Sequence, residues 1–333
     1  MKKVLVLSGG DLNNHGDFQL HAVLRELKHS GFETQHFNYR RGFTLPIPRR
    51  FWRFLYHPQL SRRLIERMML EKISRFKPDL LFVLKGECIR KGIIHQIRQS
   101  GAVTIQWGVD DIFGSYVPTD CITNISEYDY VFNFDRYYVK KLRDLGVNAH
   151  YQSCVADTKV FKYQPNEEKI YDVTFIGTYI PGIHDKRKHI LSKLSEFDLH
   201  VFGPGWADAK DSSFKVHNVY SRGRSMAHLL NQSKITLNMH HEQSIESTNF
   251  RTFEALACGT FTIVEFNREL KNLFRLNKDL VCFRSISELK EKIRYYLDHP
   301  EKRQIIRNSG FQRVLSEYTF HHAVKNILNT IGW

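Results

Sequence analysis

The sequence predicts an α/β protein built from two successive parallel-sheet domains, and three observations carry that prediction. Short apolar, β-branched runs alternate with helix-period stretches along the whole chain, the pattern of parallel strands joined by crossover helices. The alternation runs twice, with the polar interval Tyr163-Gln164-Pro165-Asn166-Glu167-Glu168-Lys169 between the two series. The chain has 333 residues, enough for two domains of ordinary size.

In the first series the strand candidates are Val4–Ser8, Glu33–Phe37, Leu80–Leu84, Val103–Trp107 and Tyr130–Phe134. Between them Phe18–Lys28, Ser61–Phe76, Ile89–Arg98 and Arg136–Leu145 carry helical periodicity. In the second series the strand candidates are Asp172–Ile176, Leu199–Phe202, Ile235–Met239, Phe261–Val264 and Leu280–Cys282. Helices are expected over Lys186–Leu194, Ser225–Gln232, Phe250–Ala257, Ser287–Asp298 and Pro300–Ser316, with a last one over Phe320–Ile331. The expected division is a first domain at 1–165, a second at 166–319, and a closing helical segment at 320–333. Ligands of such sheets bind beyond the carboxyl ends of the strands.

Composition is that of a soluble globular protein, with 42% hydrophobic and 25% charged residues, and no apolar run is long enough to span a bilayer. The apolar part of Met1–Ser8 is too short for a signal peptide and fits a first buried strand. Five cysteines stand singly at 88, 121, 154, 258 and 282, without C-x-x-C spacing, which fits reduced thiols and a cytoplasmic setting. The formal net charge is +14, and it is uneven. From Arg40 to Lys77 there are eleven Lys/Arg against Glu66 and Glu71, interleaved with Phe43, Phe51, Trp52, Phe54, Tyr56 and Phe76. Such a stretch suits an anionic membrane surface, on the inner face of the cytoplasmic membrane. Nucleic acid phosphates are the lesser partner, and an amphipathic excursion with its aromatics inward and arginines in water needs no partner at all.

The richest stretch for chemistry is Glu246-Ser247-Thr248-Asn249-Phe250-Arg251-Thr252-Phe253-Glu254-Ala255-Leu256-Ala257-Cys258-Gly259. Two carboxylates stand eight positions apart, the second within a run of good helix formers closed by glycine. Asn249 is placed to cap that helix, and Glu246 leads into its positive end. A helix start of this kind can hold a diphosphate without a metal, with Glu254 reaching ribose hydroxyls and Glu246 a sugar. Surface carboxylates around an ordinary core helix are the plainer alternative. The stretch resembles the E-x7-E element, with its trailing "EAxACG", of retaining nucleotide-sugar glycosyltransferases of the GT-B fold. A second cluster follows Phe175-Ile176-Gly177-Thr178-Tyr179, where Gly177 lets backbone approach a ligand. Arg187, in Asp185-Lys186-Arg187-Lys188, is placed to meet a departing diphosphate, whose charge grows as the glycosidic bond breaks; a solvated basic helical turn is the alternative.

Further pieces sharpen the resemblance: "DVTFIGT" at 172–178, "DKRKHIL" at 185–191, "VFGPGW" at 201–206, "SKITLNMH" at 233–240, "NFRTFEALACG" at 249–259 and the C-terminal "YTFHHAVKNIL". In order and spacing these are similar to the CgeB-like, spore-maturation type of glycosyltransferase, over most of 170–330. The first half matches in plan, through "KVLVLSGG", "KPDLLFVLKG" and "TIQWGVDD". The resemblance implies a GT-B fold, two Rossmann-like domains facing each other across a cleft, with the last helix crossing back to the first domain. It implies a nucleoside-diphosphate sugar as co-substrate, a UDP-sugar first among them, and no other cofactor. It implies Glu254 on ribose, Glu246 and Arg251 near the donor sugar or diphosphate, and Arg187 on phosphate. Phe250 and Asn249 belong to the same donor-side helix start, and His240 closes a strand toward the donor sugar.

The acceptor side is marked more sparsely. Gly10, at the end of the first strand, is followed by His15 and Asp17; Lys85 and Glu87 follow the Leu80–Leu84 strand, and Asp110 with Asp111 follows Trp107. Of these, Asp110, His15 and Asp17 are the candidates for hydrogen-bonding an acceptor hydroxyl, the acceptor being a glycan, a lipid-linked sugar or a protein. Neighbouring carboxylates on an extended segment point opposite ways, which disfavours a shared cation at Asp110-Asp111. The doublets His240-His241 and His321-His322 fail as metal pairs for the same reason of facing. Neither Ser8-Gly9-Gly10 nor Gly203-Pro204-Gly205 forms G-x-G-x-x-G, so nicotinamide chemistry has no support. The expected activity is retaining, metal-independent glycosyl transfer. The alternatives are a non-catalytic nucleotide-sugar or nucleic-acid binder on the same fold, and a sugar-nucleotide epimerase.

Overall fold

The computed structural model describes residues 1–10, 18–40, 58–86, 89, 92–108, 110–114, 122–209, 213–219, 221–241 and 244–333. The chain divides into two units, Met1–Ser153 with Ala323–Trp333, and Cys154–His322. Among the described residues no helix is long and apolar enough to cross a membrane.

The first unit runs β1 (Lys3–Ser8), α1 (Phe18–His29), β2 (Glu33–Asn38), α2 (Pro58–Phe76), β3 (Leu80–Leu84), α3 (Ile93–Gln99), β4 (Val103–Gly108), β5 (Tyr130–Asn133), α4 (Arg136–Asp144) and β6 (Ala149–Tyr151). All pairings are parallel, in the order β2-β1-β3-β4-β5-β6. Val4–Leu7 and Leu80–Val83 are wholly buried, because a parallel sheet covered on both faces needs apolar side chains on both. Asp135 caps α4 by accepting from the Tyr137 N–H at 2.9 Å. The expected Ile89–Arg98 helix begins later, at Ile93. Gly92 sits at its start with φ 86°, left-handed, and gives its N–H to both oxygens of Glu127. The last residue belongs here too: Trp333 stacks on Phe32 at 5.8 Å and lies 3.7 Å under the Lys2 ammonium.

The second unit runs β7 (Tyr171–Ile176), α5 (Asp185–Ser192), β8 (Leu199–Phe202), β9 (Lys215–His217), α6 (Gly223–Asn231), β10 (Ser233–Asn238), α7 (Phe250–Ala257), β11 (Phe261–Glu265), α8 (Leu270–Leu273), β12 (Val281–Phe283), α9 (Ile286–Asp298) and α10 (Pro300–Glu317), and the last helix, α11 (Phe320–Thr330), starts here and belongs to the first unit from Ala323 onward. Its strands are parallel in the order β12-β11-β10-β7-β8-β9. The chain therefore leaves β7 toward one edge and returns to fill the other side from β10 outward. That makes the β7/β10 junction the switch point, where a doubly wound sheet opens a crevice at its carboxyl edge. The edge strands β6 and β9 are three residues each, too short to leave a periodic signal in the sequence.

Candidate active site

The carboxyl end of β7 is held by its neighbour. Gly177 gives its N–H to Phe202 O (2.9 Å), Tyr179 gives its N–H to Pro204 O (3.0 Å), and the buried Trp206 gives its indole N–H to Gly177 O (2.7 Å) while stacking on Tyr179. This flush contact needs glycine. A Cβ on Gly203 would lie 2.1 Å from Gly177 O, and one on Gly205 2.1 Å from Tyr179 O. Gly203-Pro204-Gly205 thus supports the turn at Gly177 from below.

Over this turn, on α5, stands Arg187; its guanidinium is 4.0 Å from the position a Gly177 Cβ would take. The side chain is half-buried, and among the described residues it forms no hydrogen bond or ion pair. Burial draws its pKa down to about 10; the field of Glu265 works against that and the like charge of Arg251 adds to it. It stays charged at neutral pH, a cation without a fixed partner. Lys186 instead pairs with Glu265, the last residue of β11. His184 accepts from the Ile180 N–H through Nδ1 (3.0 Å) and is pushed down to about 4, by burial first and then by Arg187 and His241. Its Nε2 is buried with no hydrogen-bond partner among the described residues.

The start of α7 is tied to the end of β10 by a buried polar network. Asn238 donates to Asn249 Oδ1 (2.9 Å) and to Thr252 Oγ1 (2.7 Å), and Thr248 and Thr252 join their hydroxyls at 2.6 Å. Asn249 occupies the cap position, but its side chain makes no cap bond. Its amide is engaged with Asn238 instead, which leaves the first turn without a side-chain cap and corrects the expected capping role. Phe250 opens the helix half-buried, and Arg251 gives Nη1–H to Glu254 Oε2 at 2.7 Å. Glu254 is 3% exposed. Burial raises its carboxyl pKa, with Arg251 opposing. Glu246 lies in the bend before the helix, takes the Glu269 N–H on its backbone oxygen (3.1 Å), and is 3.9 Å from Arg268.

His240, two residues past β10, meets Glu265 twice. Its backbone N–H donates to Glu265 Oε2 (3.3 Å), and its Nε2 lies 2.7 Å from Glu265 O. The second unit therefore gathers Gly177, Arg187, His240, Asn249, Phe250, Arg251 and Glu254 along the carboxyl edges of β7, β10 and β11. Glu265, Lys186, His184 and Trp206 join them without having been singled out from the sequence. Glu265 had a signal, a carboxylate closing an otherwise apolar strand at the edge where ligands bind.

In the first unit Lys85 and Asp110 form an ion pair at 2.6 Å. Lys85 has φ 65°, and its backbone oxygen takes the Gln106 amide at 2.7 Å. Asp111 turns away, accepting from the Phe113 N–H (2.8 Å) and the Tyr138 hydroxyl, whose pKa burial and Asp111 raise. Gly10 gives its N–H to Ser8 Oγ (3.1 Å). His15, Asp17 and Glu87 lie outside the described residues. No group of three or more His, Cys, Asp or Glu among the described residues is placed to hold a metal; Cys154, Cys258 and Cys282 are buried and form no disulfide among the described residues.

Residues 186–329 match a family described as glycosyl transferase-like. Sucrose-phosphate synthase (tll1590) from Thermosynechococcus elongatus superposes with a TM-score of 0.71 at 11% identity, over 99% of this chain and 98% of that one. Alr3699/HepE of Anabaena, solved with UDP and glucose, gives 0.68 at 11% identity over 100% of both chains. Two doubly wound parallel sheets and these neighbours set the fold class as GT-B, and the family match makes residues 186–329 similar to glycosyl transferases. The chain is also similar to the spore protein CgeB of Bacillus subtilis (strain 168), at 20% identity over 270 residues, 75% of this chain and 82% of that protein.

Proposed function

We propose that the protein moves a glycosyl group from a nucleoside-diphosphate sugar, a UDP-sugar first among them, to an acceptor hydroxyl, with retention at the anomeric carbon and without a metal. The observation that carries this reading is Arg187, a half-buried cation, unpaired among the described residues, above the Gly177 turn at the switch point of the second sheet. A half-buried guanidinium without a partner is costly unless an anion completes it. The diphosphate lies there, between Arg187 and the uncapped first turn of α7 at Asn249, Phe250 and Arg251, whose amides favour negative charge. Glu254, through the oxygen that Arg251 leaves unused, accepts the ribose hydroxyls, and Glu246 and His240 face the sugar. That HepE was solved with UDP and glucose supports the donor class.

In the reaction the bond from the anomeric carbon to the diphosphate oxygen breaks and one to the acceptor oxygen forms on the same face. The acceptor proton passes to the departing diphosphate, whose growing charge Arg187 stabilises. The acceptor belongs to the first domain, at Gly10, His15, Asp17, Lys85, Glu87 and Asp110, with Asp110 orienting the hydroxyl while Lys85 balances its charge. A glycan, a lipid-linked sugar or a protein supplies that hydroxyl, and the basic 40–77 stretch holds the enzyme peripherally on the cytoplasmic face of an anionic membrane. Calorimetry with UDP-, GDP-, dTDP- and CMP-sugars tests the donor assignment. Micromolar binding of one nucleotide class is expected, and binding of none overturns it.

A further inference from the structure

The ring of His240 has a fixed tautomer and an unused acceptor. Glu265 O, a carbonyl, can only accept, so the nitrogen 2.7 Å from it, Nε2, carries the hydrogen. Asn267 Nδ2, 3.1 Å from the same nitrogen, carries two hydrogens and gives one to Ser247 O; the contact to the carbonyl is the shorter, and a carbonyl cannot donate, so Nε2 keeps its hydrogen. The ring is neutral at ordinary pH, since burial, Lys186 and Arg187 push it down to about 4 against the pull of Glu265. In the neutral ring with Nε2 protonated, Nδ1 holds a lone pair and no hydrogen. That Nδ1 is buried and has no hydrogen-bond partner among the described residues. An unpaired buried acceptor is rare and destabilising on its own. This one sits at the end of β10, on the switch point beside the Gly177 turn and Arg187.

The geometry points to His240 Nδ1 as the atom that accepts a hydrogen bond from a hydroxyl of the transferred sugar, which makes His240 a specificity-determining residue of the donor subsite. The inference rests on the donor reading above and deepens it. The nitrogen cannot donate in this tautomer, so the site selects a sugar presenting an O–H at that point and rejects one in which that oxygen is absent or alkylated. The backbone and Nε2 contacts to Glu265 hold the ring in place.

Three proteins decide it by calorimetry: wild type, His240→Gln and His240→Asn. The glutamine amide can replace Nε2–H on Glu265 O while losing the acceptor at the δ position, whereas the asparagine Oδ1 restores an acceptor there. Each is titrated with UDP, UDP-glucose, UDP-galactose and UDP-N-acetylglucosamine. Wild type is expected to bind at least one UDP-sugar about tenfold or more tighter than UDP, as one buried hydrogen bond to a hydroxyl provides. His240→Gln should lose that gain with UDP affinity unchanged, and His240→Asn should recover most of it. A gain that survives in His240→Gln, an equal loss for UDP and its sugars, or no gain in wild type overturns the assignment. If wild type binds no UDP compound, the donor reading itself fails, a result distinct from all of these.

Discussion

Arg251 and Glu254 face each other across one turn of α7, guanidinium to carboxylate at 2.7 Å, with the acid 3% exposed and the base 22%. The acid is therefore neither a surface residue nor a freely available ligand. One oxygen is committed to Arg251, and Oε1 accepts no hydrogen bond among the described residues. Removing the carboxylate does two things at once, which dictates the choice of variant.

Glu254→Ala strands the Arg251 charge and opens a hole in the packing, at a cost of ~2 kcal/mol or more in stability. Glu254→Gln keeps the volume and isolates the ligand effect, with an expected loss of about tenfold in nucleotide affinity from a weakened charge-assisted bond. Stability also acquires a pH signature. The folded pKa is raised above the unfolded value, so the protonated acid is favoured in the native state. Stability from this group is full below the unfolded pKa and is lost as pH rises through the folded one. Denaturant titrations from pH 4 upward should show wild type losing stability relative to Glu254→Gln with rising pH. A constant difference between the two would mean that the carboxyl is not shifted.

Arg187→Ala should behave in the opposite way toward the fold. No ion pair is lost, and a costly half-buried charge disappears, so the melting temperature is expected to stay level or rise. Transfer should suffer more than binding, because the cation acts most where diphosphate charge develops. A fall in kcat of about a hundredfold, with nucleotide affinity down about tenfold, is the expected split. Turnover of wild type should survive EDTA. Abolition by chelator with rescue by manganese would transfer the diphosphate's countercharge from Arg187 to a metal and redirect attention to Asp110 and Asp111.

Much of this frame was legible from residue type alone. Val4–Leu7 and Leu80–Val83 are apolar on both faces, and a parallel sheet buried on both sides leaves that mark. The sequence could not order the strands, because crossover helices of similar length serve either direction of winding, and so the β7/β10 switch point had to come from the structure. At the site, Arg187 and Gly177 are near in sequence and their proximity was inferable. Lys186–Glu265 and Asn238–Asn249 join separate elements, and nothing in composition or period reports such pairs. Asn249 shows the limit: its residue type and position fit a cap, yet a neighbouring amide offered a better partner than the helix N–H.

Gly203→Ala tests whether the Gly177 turn is a rigid part of the site. The φ of 143° is one that side chains resist, and the new Cβ would meet Gly177 O at 2.1 Å. Backbone has to move, with an expected cost of about 2–3 kcal/mol. The same displacement lifts the turn under Arg187, so nucleotide affinity should fall in the fraction that remains folded. Gly182→Ala is the control, since its φ is also positive but nothing lies within 4 Å of the added Cβ. It should lose some stability to strain and no affinity. Equal affinity for both variants would show that the turn does not shape the nucleotide site.

The proposed membrane docking through the basic stretch from Arg40 to Lys77 would use α2. Its exposed side carries Arg63, Arg67 and Arg75, with Leu64 at 55% and Met68 at 49% exposure among them. Ile65, Met69, Ile73 and Phe76 turn the other way into the core. The exposed Arg75–Glu71 pair at 2.6 Å subtracts little, because such pairs are worth a fraction of a kcal/mol. The expected partner is an anionic bilayer, to which each basic side chain near the surface adds about 1 kcal/mol, while Leu64 and Met68 enter the interfacial layer. Residues 41–57, which hold Phe51, Trp52 and Phe54, lie outside the described residues. Sedimentation with phosphatidylserine vesicles should pull the protein down at low salt and release it as the Debye length shrinks, and phosphatidylcholine vesicles should leave it in solution. Arg63→Glu with Arg67→Glu should weaken the binding by more than the removal of two ~1 kcal/mol contributions, since each change also adds a repulsive charge, and transfer to a small soluble acceptor should be unaffected. Binding that ignores salt, or that survives the charge reversal, would move the contact away from α2, and tight binding to DNA at matched salt with none to vesicles would replace the membrane by nucleic acid.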